Sequence, residues 1–231
     1  MSQTNSAKFK GAPVRENKIH RITITVLLAL MLVQGIILGV EQNFTALFPV
    51  TLIILTMFSP ILFRKKLQLE LPAEFHLIAV LFTFSALYLG EIHSFYERFW
   101  WWDMVLHTTA GFLSGIVGFL LIYILNESDR VVIHLTDGFI AFFAFVFAVM
   151  IGTVWEIFEF SMDQIFGMNM QKPMLGDPSG LTDTMWDMIV NALGALFISL
   201  MGWRYLKLGE SFFVKKWIRT FIRKNPSWFS K

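Results

Sequence analysis

Six blocks of roughly 20 apolar residues, nearly free of charge, set the first limit on what this chain can fold into. An α-helix of about 20 residues crosses the roughly 30 Å hydrocarbon core of a bilayer. A soluble core would need shorter segments with polar faces. Composition agrees: the 231 residues are 55% hydrophobic and 16% charged, against about 45–50% and 25% for soluble domains. The expected fold is all-α, a polytopic transmembrane helical bundle of about six spans. The spans are expected near residues 21–40, 44–63, 72–93, 102–126, 138–166 and 183–205. They form a transmembrane domain over 21–206, between a basic N-tail (1–20) and a basic C-tail (207–231).

The N-terminus resembles a signal peptide only superficially. Its apolar run from Ile22 to Val40 is too long for a signal h-region, and Leu38-Gly39-Val40-Glu41 offers no small-x-small cleavage site. It reads as an uncleaved first span. Pro49 and Pro60 fall inside the second span, where membrane helices tolerate them. The absence of cysteine excludes disulfides, thiolate chemistry and sulfur-ligated metals.

Lysine and arginine set the direction. Seventeen of the 19 lie in the N-tail, the 2–3 loop, the 4–5 loop and the C-tail; only Arg98 and Lys172 lie on the other side. Both termini are therefore expected in the cytoplasm, with the chain in the cell (plasma) membrane. The basic residues sit where topology wants them, which argues against nucleic-acid binding. Phe99-Trp100-Trp101-Trp102 fits an outer interfacial belt. Residues 211–229 alternate aromatic and basic side chains, as in an amphipathic helix lying on anionic lipids of the inner leaflet.

Ionisable residues inside spans are costly and are functional candidates by default. The alternating direction of the spans gives them one address at the outer leaflet. Glu91 and His93 end the third span. Asp103 opens the fourth, with His107 at i+4. Glu156 and Glu159 lie near the outer end of the fifth, followed by Asp163. Asp183, Asp187 and Asn191 descend one face of the sixth at four-residue steps. The candidate catalytic or metal-ligating residues are thus Asp103, His107, Glu156, Glu159, Asp183 and Asp187. Five carboxylates and one imidazole make an oxygen-rich site suited to a divalent metal (Mg²⁺, Mn²⁺, Ca²⁺ or Zn²⁺). Such a site could also hold two metals, as in carboxylate-bridged helical centres.

Structural roles compete with this reading. Asp103 and Asp183 could cap helix N-termini, and Glu91 and Asp163 could be wetted helix ends. Capping explains His107 and Asp187 poorly, because each lies a turn inside its helix. His20, His76 and His134 fall on the cytoplasmic side and read as incidental. Gly111-x3-Gly115, Gly118 and Gly194 are packing signals, since small residues let helices approach closely.

Three ordered motifs, Trp102-Asp103-x3-His107-x3-Gly111, Trp155-Glu156-x2-Glu159 and Asp183-x3-Asp187-Met188 with Gly194, resemble the uncharacterised bacterial inner-membrane family typified by YjdF. The resemblance runs from about Glu91 to Ala195, with a fainter likeness to VanZ-like membrane proteins. Phe160 stands where that family tends to have Trp, and Ser179-Gly180-Leu181-Thr182 stands in place of its Gly-Asp-x-Trp stretch. The resemblance implies a bacterial multi-spanning membrane protein and adds weight to the polar residues, without implying an activity. Three functions follow from the residues. The first is a metal-dependent hydrolase of a lipid-linked or envelope phosphate ester. The others are an ion-coupled transporter and a non-catalytic envelope factor with a structural polar core.

Overall fold

A computed structural model describes residues 18–67, 70, 72–127, 135–208, 220–221 and 223–225. Apart from one isolated bridge between Met174 and Asp177, the regular structure among these residues is helical. The elements are α1 (Lys18–Val40), α2 (Phe44–Leu67), α3 (Ala73–Thr83) running on as a π-helix (Phe84–Ile92), short α4 (Phe95–Arg98), α5 (Trp102–Glu127), α6 (Asp137–Phe166) and α7 (Leu181–Leu208). Six of these helical segments are long and apolar enough to cross a membrane. Phe142, Ile157, Leu193 and Phe197 are more than half exposed on them. Hydrocarbon is the solvent that such faces match.

The expected spans and the helices agree to within a few residues. The second helix continues through Arg64-Lys65-Lys66, and the sixth span starts at Leu181 and runs to Leu208. Short α4 and the π-helix were not expected. A π-helix has no hydrophobic period that separates it from an α-helix in sequence, and its runs are mostly single turns near functional sites. The amphipathic reading of the C-tail rests mainly on residues 209–219 and 226–231, which lie outside the described residues. Most of the N-tail and His134 lie outside them too.

The chain divides into two compact units. The first contains residues up to Val80 together with the 219–226 segment. In it α1 packs on α2 through Met31, Leu38, Val50 and Ile53, all buried. A tight turn joins them, with Asn43 Oδ1 accepting from Ala46 N at 3.1 Å as an N-cap. Two polar contacts tie one end of this unit together. His20 Nε2 lies 3.0 Å from His76 Nδ1, and Asn225, 1% exposed, clasps Glu70. Glu70 N donates to Asn225 Oδ1, and Asn225 Nδ2 donates to Glu70 O at 2.9 Å. The beginning of α1, the loop before α3 and the C-terminal segment thus meet at one end, the end that charge bias assigns to the cytoplasm. His76 is buried and paired with His20.

The second unit contains residues 81–218. Helices α5, α6 and α7 pack against one another in its centre. Their core is built from Leu106, Ile116 and Phe119 of α5, Ile140, Ala144 and Ala148 of α6, and Val190, Ala195 and Ile198 of α7. The α5–α7 approach depends on two glycines. A Cβ at Gly111 would strike the Asn191 carbonyl oxygen, and one at Gly194 the Thr108 carbonyl oxygen. Backbone cannot yield as a flexible side chain can. This contact sets the N-terminal halves of α5 and α7 side by side, with α6 against both.

Candidate metal centre

The acids of α5, α6 and α7 converge where these three helices meet, at the end of the unit opposite Arg204 and Lys207. His107 is central. Its Nε2 lies 3.3 Å from Asp103 Oδ1 and its Nδ1 lies 3.5 Å from Glu156 Oε1. Two groups of ligand atoms share it: Asp103, His107 and Asp187, and His107, Glu156 and Glu159. Within each group, one atom per residue lies within 4.8 Å of the others. His107, Glu156, Glu159 and Asp187 are all buried, Asp187 to 1% exposure.

Geometry decides what these contacts are. An N–H···O hydrogen bond has its heavy atoms about 2.7–3.2 Å apart. The two histidine contacts are longer. Two atoms that each ligate one ion at about 2.0–2.1 Å lie roughly 2.8–3.0 Å apart along an octahedral edge and about 3.3–3.4 Å apart along a tetrahedral one; the Asp103 contact matches the latter. The carboxylates tell the same story. Among the described residues both buried oxygens of Asp187 lack a hydrogen-bond partner, whereas Glu156, also buried, has the His107 contact and the Thr184 hydroxyl beside it. An ionised carboxylate buried without a partner costs several kcal/mol, so Asp187, grouped with Asp103 and His107, is placed where a cation would relieve that cost.

The remaining acids are committed. Glu159 Oε1 accepts from Trp155 Nε1 at 2.9 Å, one turn back on the same helix. Asp183 is 2% exposed, and its Oδ2 accepts from Lys172 N at 2.8 Å. It stands outside both ligand groups. The helix cap expected of Asp183 is made elsewhere. Asp177 accepts from Ser179 N at 2.8 Å and from Thr182 N at 3.0 Å, and Ser179 Oγ accepts from Leu181 N. The Ser179 hydroxyl and amide, with the Thr182 hydroxyl and amide, hold the Asp177 carboxyl well below the usual carboxylate range. Asp163 is no wetted helix end either. Its two oxygens accept from Met170 N at 2.7 Å and Gln171 N at 2.9 Å. Gln171 Nε2 in turn donates to Thr184 Oγ1 on α7. The loop after α6 is therefore pinned at successive residues across the N-terminal end of α7. Glu91 and His93 are exposed, and His93 packs edge-on against Tyr88.

Two residues that sequence reasoning missed stand beside the cluster. Tyr96, on α4, packs its ring on Gly90, where a Cβ would collide with it. Burial, and then the negative charge of Asp103, Glu91, Glu159 and Asp187, push its phenol far above the ordinary range, so it stays a neutral O–H donor. Lys172 places its ammonium 5.7 Å from the centre of the Tyr96 ring, a cation–π contact. The sequence carried one signal for Lys172: it is one of two cations on the acidic side. For Tyr96 it carried none, because the turn that delivers it follows the π-helix.

Fold and site together define a multi-spanning helical membrane protein with a buried carboxylate–histidine centre near one end of its spans. The chain belongs to the family described as "Predicted membrane protein (DUF2238)", which matches residues 19–208. That match covers all six spans, and it bears out the resemblance to an uncharacterised membrane family. A relative from Thermotoga maritima, called "Uncharacterized protein", is 28% identical over 190 residues, covering 82% of this chain and 91% of its own. No solved structure matches the chain significantly.

Proposed function

We propose that the chain is a divalent-metal-dependent hydrolase of the cell membrane, acting at the outer leaflet on a phosphate ester that is lipid-linked or of the envelope. The observation that carries this reading is Asp187, 1% exposed with both oxygens unpartnered among the described residues and grouped within ligand reach of Asp103 and His107. Asp103, His107 through Nε2 and Asp187 are the proposed ligands, and Glu156, which faces Nδ1, orients the imidazole. A hard oxygen set with one imidazole suits Mn²⁺ or Zn²⁺ as well as Mg²⁺. Such an ion supplies a water of lowered pKa and an electrophile for a phosphoryl oxygen.

The chain's own residues supply the rest. Glu159, oriented by the Trp155 indole, is the proposed base. The water oxygen bonds to phosphorus, and the bond from phosphorus to the alcohol oxygen breaks. The proton that water loses passes to Glu159 and then to the departing alkoxide. Asp183 holds the Lys172 backbone and so positions the loop after α6 rather than ligating.

A structural polar core fits less well, because such a core satisfies its buried groups. A transporter site is expected near the bilayer midplane between repeated halves, whereas these acids sit toward the ends of α5, α6 and α7. The test is hydrolysis of a lipid phosphomonoester by purified protein with Mn²⁺. The expected result is turnover that is removed by chelator and reduced at least about 100-fold by His107→Ala. Turnover that ignores both would refute the reading.

A further inference from the structure

We infer that Lys172 and Tyr96 form an oxyanion-binding rim on the carboxylate–histidine centre and take the phosphate group of its ligand. This rests on the metal reading above, since an anion would not approach so many carboxylates without a cation among them.

Placement carries the inference. Lys172 and Arg98 are the two basic residues that sequence topology puts on the acidic side, and Lys172 is fixed to Asp183, one turn before the ligand-group residue Asp187 on α7. Its N–H donates to Asp183 Oδ2 at 2.8 Å. The residues before it, Met170 and Gln171, are held by Asp163, and Gln171 is also held by Thr184. Four successive anchors on a loop order it strongly. A lysine at the end of such a run starts with little backbone entropy left to lose on binding. Its ammonium donates to the Asn169 carbonyl oxygen and lies over the Tyr96 ring. It is also within electrostatic reach of Glu91 and Asp183. It forms no ion pair within 4 Å among the described residues, so its charge is only partly matched.

Tyr96 brings the second donor. It is partly buried, and its phenol is within electrostatic reach of Asp103, Glu159 and Asp187, residues of both ligand groups. A point charge on a lysine and a neutral O–H are the donors that recognise a tetrahedral oxyanion beside a metal. Gly90 leaves the space that the Tyr96 ring fills, and the Lys172 ammonium lies over that ring.

The shared ligand chemistry is a phosphate monoester or inorganic phosphate. The test is calorimetry on full-length protein in nanodiscs, in three steps. Mn²⁺ is titrated first, then inorganic phosphate onto Mn²⁺-loaded protein in phosphatidylcholine nanodiscs. Phosphate titration is then repeated in discs that contain phosphatidic acid, as a competitor. Lys172→Met is expected to bind Mn²⁺ within about twofold of wild type while losing about tenfold or more in phosphate affinity. Lys172→Arg restores part of that loss, and Tyr96→Phe loses about threefold to tenfold.

Retained Mn²⁺ binding in Lys172→Met also reports that the variant is folded, as expected because Asp183 holds a backbone N–H that any residue but proline keeps. Direct phosphate binding that depends on Lys172 supports the inference for a free phosphate. Competition by phosphatidic acid that depends on Lys172 supports it for a lipid headgroup. Wild-type protein that binds Mn²⁺ but binds neither ligand, or binds them equally well without Lys172 and Tyr96, overturns the inference alone. Wild-type protein that binds no Mn²⁺ overturns the metal reading and the inference together.

Discussion

Asp187 shows the physics of the centre most clearly. The residue is 1% exposed, with no hydrogen-bond donor on either carboxylate oxygen among the described residues. Without a cation, an ionised group there is paid for by the rest of the fold. Asp187→Asn is therefore expected to raise the melting temperature of metal-free protein, equivalent to about 1–3 kcal/mol. With cation the order reverses. Wild type gains about 2.7 kcal/mol at a cation concentration 100 times its Kd, and the variant gains little. Thermal denaturation with and without Mn²⁺ reads both signs. A variant equally stabilised by Mn²⁺ would remove Asp187 from the ligand set. His107 and Asp187 were visible in sequence because each sits a turn inside its helix, and Glu156 because it stands among apolar residues of α6. The lack of partners at Asp187 was not visible, because a missing hydrogen-bond partner depends on what three separate helices bring near.

At the scale of elements, the close approach of α5 and α7 and the cap of α7 position the centre. Gly194→Ala places a methyl against the Thr108 carbonyl oxygen. The expected cost is about 1–3 kcal/mol or more, with weakened metal binding, because the shift moves Asp187 away from His107. Gly39→Ala, with nothing within 4 Å of the new atom, should leave melting temperature and metal affinity unchanged. The cap gives a pH prediction. The folded pKa of Asp177 is depressed by its bonds from Ser179 and Thr182. Its contribution is therefore fully present above the ordinary carboxylate pKa of about 3.9 and fades as pH falls from there toward the lower folded value. Hydrogen exchange at 179–184 should be protected at neutral pH and speed up in Asp177→Ala; unchanged exchange would deny it the capping role. The acidic helix starts were legible in sequence, but which acid does the capping was not. Asp183 lies inside α7, which begins at Leu181, and Asp177 takes the capping role because the left-handed Gly176 and Gly180 fold the loop back onto the helix start.

For the whole molecule, the six apolar blocks of the sequence fall on six helices long and apolar enough to cross a membrane. Hydrophobic length is a local property, and a bilayer reads it locally. The Asn225–Glu70 clasp joins residues 155 positions apart, and no local pattern announces it. Because the chain has no cysteine, single cysteines can test the orientation directly. Glu97→Cys and Pro178→Cys should react with an impermeant maleimide added outside intact cells, and Lys66→Cys only after permeabilisation. The opposite labelling pattern would invert the assignment and put the centre at the cytoplasmic face.

Metal content tests the central claim most directly. Protein purified without chelator, loaded with Mn²⁺ and desalted should retain stoichiometric metal, with a paramagnetic resonance spectrum showing nitrogen coupling from one imidazole. His107→Ala should lose the nitrogen coupling, and Asp187→Ala should lose most of the metal. Folded wild-type protein that retains no divalent metal, or that holds it equally well without His107 and Asp187, would contradict the account.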